Sequence, residues 1–126
     1  MPLVKPWQEW DPTRQKRIPG TLGVFEIGDA DGNVLYIGMA GGRTRFGLRE
    51  RIGDCFTGKV APSLAQSARL YRHEVNLMYT TRWIELLERH RAAFGVLPAA
   101  NLESGENLPT LGRAGRSAAR PAGERG

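Results

Sequence analysis

Cysteine is almost absent from this 126-residue chain. The one present, Cys55, cannot form an internal disulfide and cannot build a cysteine-based zinc site. A reducing, cytoplasmic compartment is the expectation. No apolar run approaches the ~18 residues that a membrane-spanning helix requires. Residues 1–11 hold a single lysine and no apolar stretch, so no secretory signal is expected and no membrane partner either. Internal repeats are lacking. What is present is one modest core's worth of apolar side chains, 40% of the chain, which is too many for a wholly disordered polypeptide. Length and composition together predict one domain with a tail.

The formal charge is +5, and its distribution says more than its total. Residues 1–110 hold 14 Lys+Arg against 12 Asp+Glu. Residues 111–126 add Arg113, Arg116, Arg120 and Arg125 against Glu124. That last stretch, rich in Gly, Ala, Arg, Pro and Ser, lacks the apolar surface to offset its ordering entropy. Residues 102–126 are therefore expected to form a disordered basic tail. Inside the body, Arg43, Arg45, Arg49 and Arg51 crowd within nine residues and are opposed only by Glu50.

Periodicity organises the remainder. Residues 1–20, with Pro2, Pro6, Pro12 and Pro19, read as an irregular arm that Trp7 and Trp10 pack onto the body. Residues 21–28 and 34–39 are β-rich runs flanking Asp31-Gly32, the signature of an antiparallel hairpin. Leu48, Ile52 and Phe56 recur at helical spacing. Ser63 is placed to cap a short helix. Residues 70–79 alternate as a third strand, and Thr80 or Thr81 can cap a helix through Ala93, with Gly95 as its stop. The predicted architecture is α+β: a three-stranded antiparallel sheet flanked by helices, spanning residues 21–101.

The hairpin also carries a motif. Gly23-Val24-Phe25 lies on its first strand and Tyr36-Ile37-Gly38 on its second, ten residues apart. Leu48-Arg49-Glu50-Arg51-Ile52 follows on a helix, then an acidic helix with Glu85 and Glu88, then Pro98 and Asn101. This order resembles the GIY-YIG nuclease superfamily, which includes the first incision module of bacterial excision repair and homing endonucleases. The resemblance implies a metal-dependent endonuclease acting on DNA phosphodiesters. It implies Tyr36 beside the attacking water as base or relay. A phenol, with an ordinary pKa near 10, needs positive charge nearby for that work. It implies Arg51 as the group that stabilises charge on the pentacovalent phosphate. Glu85 or Glu88 would hold Mg²⁺ or Mn²⁺, for which hard oxygen ligands suit. Gly23, Phe25, Gly38 and Asn101 occupy the motif's structural positions, and Arg43, Arg45 and Arg49 would hold backbone phosphates of the nucleic acid.

Two residues depart from the family pattern. Phe25 stands where a tyrosine is usual, and Met39 where repair members commonly carry lysine. These departures keep open a non-catalytic nucleic-acid-binding module on the same fold, and the modest net charge of residues 1–110 keeps open a small protein-interaction domain.

Overall fold

The computed structural model describes residue 3, residues 5–41 and residues 46–105. The hairpin strands are β2 (Gly23–Gly28) and β3 (Val34–Ala40). Their turn forms as the sequence indicates: Gly32 takes a positive φ of 84°, and the Asp29 carboxylate accepts from the Asp31 and Asn33 amides at 2.9 Å each. Strand β4 (Leu70–Val75) pairs antiparallel with the other edge of β2.

The sheet has four strands rather than the expected three. Gln8–Glu9 forms a two-residue strand, β1, antiparallel to β4, so the order is β1-β4-β2-β3. The arm expected to be irregular also holds a single helical turn, α1 (Pro12–Gln15). Its first turn is capped by the Asp11 carboxylate, which accepts from the amides of Thr13 and Arg14. Trp10 stacks on Phe56 with ring centroids 4.6 Å apart, which docks this arm as its tryptophans suggest.

Helix α2 (Gly47–Phe56) is followed by the short α3 (Pro62–Ser67). Helix α3 starts with Pro62 after Ala61, not with a Ser63 cap. Strand β4 stops at Val75 because Asn76 turns the chain: its side chain accepts from the Met78 amide at 2.8 Å. Helix α4 (Tyr79–Phe94) consequently begins just before the expected threonine caps, and it ends at Gly95 in the left-handed region. Pro98 then initiates a further helix, α5 (Ala99–Ser104), which runs over Asn101 and into the start of the expected tail. The rest of the expected tail, residues 106–126, lies outside the described residues.

Two cores sandwich the sheet. On one face Phe25, Ile27, Tyr36 and Tyr71 pack with Leu48, Ile52 and Cys55 of α2. On the other, Val24 and Ile37 pack with Trp83, Leu86 and Leu87 of α4 and with Leu97. Strand β2 is buried along its whole length because both helix layers cover it. The cysteine behaves as a small core hydrophobe, and burial pushes its thiol pKa well up.

Candidate functional site

Alternation along β3 sends Tyr36 to the α2 face and Ile37 to the α4 face. Helix α2 runs beneath the first of these faces, and Arg51 on it reaches back to the strand. Arg51 Nη2 donates to the Tyr36 hydroxyl at 3.0 Å, and Nε donates to the Met39 carbonyl at 3.1 Å. Two donors of one planar guanidinium thus grip the strand at a side chain and at the backbone three residues on. Tyr36 is fully buried and Arg51 half-buried, so the arginine is the more accessible half of the pair.

The motif glycines make this close packing possible. A Cβ on Gly38 would lie 2.4 Å from Phe25 Cζ and 2.7 Å from Tyr36 Cε2. A Cβ on Gly23 would meet the Glu74 carbonyl oxygen at 2.2 Å. Phe25 is opposite Gly38 in the strand register and sits with its ring centroid 5.8 Å from that of Tyr36. The phenyl ring at the position of the usual tyrosine is therefore wholly apolar filler against the tyrosine that remains.

Asn101 binds the backbone one residue along from Tyr36. Its Oδ1 accepts from the Ile37 amide and its Nδ2 donates to the Ile37 carbonyl, each at 2.8 Å. Trp83 Nε1 donates to the same carbonyl at 2.9 Å. Strand β3 is an edge of the sheet, so these outward-facing groups have no strand partner there. A fully buried asparagine and an indole satisfy them instead.

The glutamates belong to the other layer. Glu85 is exposed on α4, and Arg82 Nη1 donates to it at 2.8 Å. Arg82 Nε in turn donates to Glu74 on β4 at 3.0 Å. Glu88 is also exposed on α4. The structure thus brings Tyr36, Arg51 and Asn101 together around β3, while Glu85 is engaged by the Arg82–Glu74 network. Of the basic cluster, Arg49 donates through Nε to the Ile18 carbonyl at 2.9 Å, so it pins the N-terminal arm to α2. Arg43 and Arg45 lie outside the described residues.

Sequence reasoning missed the Glu26–Arg72 pair. Glu26 sits between Phe25 and Ile27, where alternation assigns it to a solvent face, but α4 covers that face. It is 5% exposed, and Arg72 Nε donates to it at 2.7 Å. Burial pushes its pKa up, against the lowering influence of Arg72. Arg72 also lies 4.0 Å from the centroid of the Trp7 ring.

A small antiparallel α+β sandwich with a buried tyrosine–arginine pair on one sheet face is the class of protein these features define. Residues 1–93 match the family described as a domain of unknown function, DUF7508, and the chain belongs to that family. It is also similar to the UvrABC system protein C of Rhizobium etli, at 31% identity over 91 residues. That match covers 65% of this chain and 12% of the relative's length. Among the described residues no helix is long and apolar enough to cross a membrane.

Proposed function

We propose that this chain is a metal-dependent endonuclease of the GIY-YIG type, hydrolysing DNA phosphodiester bonds at Tyr36 and Arg51. The observation that carries the reading is the 3.0 Å hydrogen bond from Arg51 Nη2 to the Tyr36 hydroxyl. It supplies the positive charge that the phenol requires beside it, on the helix where the motif puts it. The similarity to UvrABC system protein C supports the same reading.

In this reading the Arg51 guanidinium carries the positive charge that faces the phosphate, where negative charge grows as water adds. Water forms the new P–O bond, the bond to the leaving oxygen breaks, and the leaving oxygen ends protonated. Tyr36 orients Arg51 through its oxygen and relays a proton through its own O–H. Asn101 and Trp83 hold β3 so that the tyrosine keeps its place.

The carboxylates fit a hard cation by donor chemistry, but sparsely, and they stand on α4, in the other layer from Tyr36. Among the described residues no three His, Cys, Asp or Glu side chains cluster as a ligand set. Glu85 or Glu88 would hold Mg²⁺ or Mn²⁺ alone or as a pair, with water and substrate phosphate completing the shell, as is usual for Mg²⁺. When bound, the ion would supply charge stabilisation at the phosphate. The test is cleavage of single-stranded, duplex, branched and supercoiled DNA with Mg²⁺ or Mn²⁺, by the wild type and by Glu85→Ala, Glu88→Ala and the double variant. Cleavage of at least one form, abolished in the double variant, is expected. Cutting that survives loss of both glutamates would contradict the metal assignment.

A second reading is favoured by particular observations: Phe25 brings no hydroxyl to Tyr36, and Glu85 is held by Arg82 on the other layer. The chain would then be a non-catalytic nucleic-acid-binding module on the same fold. Salt-dependent DNA binding with no cleavage, even after Phe25→Tyr and Met39→Lys, would favour it over the first.

A further inference from the structure

The arm that precedes the sheet builds a polar cavity of about 400 Å³ against β4. Arg14, Arg17, Tyr71, His73 and Gln8 line it, with Ile18 and Pro19 at its side. No carboxylate is among these residues. On the same arm, the Asp11 Oδ2 lies 3.4 Å from Arg14 Nε in an exposed pair. Exposed pairs of this kind are worth little free energy, so Asp11 holds Arg14 only weakly. Arg17 is exposed and has no acidic partner among the described residues. Burial lowers the pKa of the His73 imidazole, and the positive charge of Lys5 adds to that effect. Tyr71 donates its O–H to Gln8 Oε1 at 3.2 Å, which fixes the phenol at the wall.

Register places this cavity on the same sheet face as the candidate site. Tyr71, Ile27 and Tyr36 form one row across β4, β2 and β3, and His73, Phe25 and Gly38 form the next. The two ends of a row are two strand spacings apart, about 10 Å. That is about three axial steps of a nucleic-acid strand, at roughly 3.4 Å per phosphate. Arg49 bridges the interval: it leaves α2 two residues before Arg51 and donates to the carbonyl of Ile18 at the cavity wall.

We propose that the cavity between the N-terminal arm and β4 is a backbone-phosphate subsite, occupied by the nucleic-acid strand whose scissile group meets Arg51. Arg14 and Arg17 supply the charge and His73 an N–H donor. The subsite's two arginines hold phosphate, the part of a strand that fixes position rather than sequence. It gives the arm a function that neither the tripeptide motifs nor the net charge discloses. The proposal rests on the nuclease reading for the identity of the strand, but its own evidence is the cavity.

The experiment is fluorescence anisotropy of the full chain with a labelled DNA over a range of salt concentrations. It compares the wild type, Arg14→Ala plus Arg17→Ala, and Lys16→Ala, which is on the same arm outside the cavity. The double variant should bind more weakly and with a slope of log K against log salt shallower by about one to two units, at roughly 0.9 per phosphate on duplex DNA. Lys16→Ala should leave the slope near that of the wild type. An unchanged slope in the double variant, or no DNA binding by the wild type, would overturn the proposal. A second arm titrates inorganic phosphate. Arginine-dependent phosphate binding with no change in the DNA slope would mean an anion site that the strand does not use, and would also overturn it. Cleavage assays keep the two readings apart. Cleaving protein with an unaltered slope loses only the subsite, whereas an altered slope in a protein that never cleaves loses only the nuclease.

Discussion

Asn101 and Ile37 exchange two hydrogen bonds, each 2.8 Å, across the outer edge of β3. The residue next to Ile37 is Tyr36, so the asparagine holds the strand that carries the phenol. It acts on the candidate site from the far side of the backbone, as a positioning residue. Asn101→Ala would leave the buried Ile37 amide without its partner, while Trp83 still serves the carbonyl. The expected loss of stability is about 1–3 kcal/mol, the usual cost of one orphaned buried group. Asn101→Asp should be worse, because it sets a charged carboxylate, in a fully buried position, against the Ile37 carbonyl oxygen. Urea unfolding of the two variants checks both the size and the order.

Gly38 sets how closely Phe25 and Tyr36 can pack over β3. Gly38→Ala forces a methyl group to within 2.4 Å of Phe25 Cζ unless something moves. Overpacking of this kind costs typically about 1–3 kcal/mol. The clash is with a side-chain terminus, so Phe25→Leu should recover part of the loss when the two changes are combined. A double-mutant cycle measures that coupling, and strict additivity would show that the glycine is needed for another reason.

Glu26 predicts a pH dependence of definite sign. Its pKa is raised in the fold, chiefly by burial, above an ordinary value of 4.5. The protonated form is therefore the one the folded state favours. Its relative stabilisation is complete below 4.5 and is lost as pH rises through the folded value. Glu74 works in the opposite sense: bonds from Arg82 and Asn76 outweigh the effect of burial and lower its pKa, so its contribution is lost as pH falls. The Glu26 part is isolated by the stability difference between wild type and Glu26→Gln. That difference should move against the wild type as pH increases from below 4.5 toward neutrality. A difference independent of pH would contradict the raised pKa.

Much of this fold was legible in local chemistry. The hairpin follows from Asp31-Gly32, and the end of α4 follows from Gly95, because both glycines meet a positive φ that other residues resist. Strand β1 was not legible, since Gln8 and Glu9 have no apolar alternation and are ordered by the open edge of β4. The start of α4 was misplaced because the Asn76 side chain, not a threonine, organises the preceding turn. Tyr36 and Arg51 could be paired from motif order alone. Asn101 could be selected from the motif, but its two bonds to Ile37 depend on α5 lying along a sheet edge. The Glu26–Arg72 pair was hidden for a related reason: one strand's alternation does not say that a distant helix covers its polar face.

In the proposed nuclease the Arg51–Tyr36 pair performs the phosphodiester chemistry. The most direct test of this role is the rate of nicking of supercoiled DNA in Mg²⁺ or Mn²⁺ by wild type and Arg51→Ala, with circular dichroism to show that both are folded. Nicking by the wild type is expected, with a rate about 10²–10³-fold lower in the variant, the usual effect of removing one donor to a transition-state oxyanion. Equal rates in the two folded proteins, or no nicking by the wild type, would contradict it.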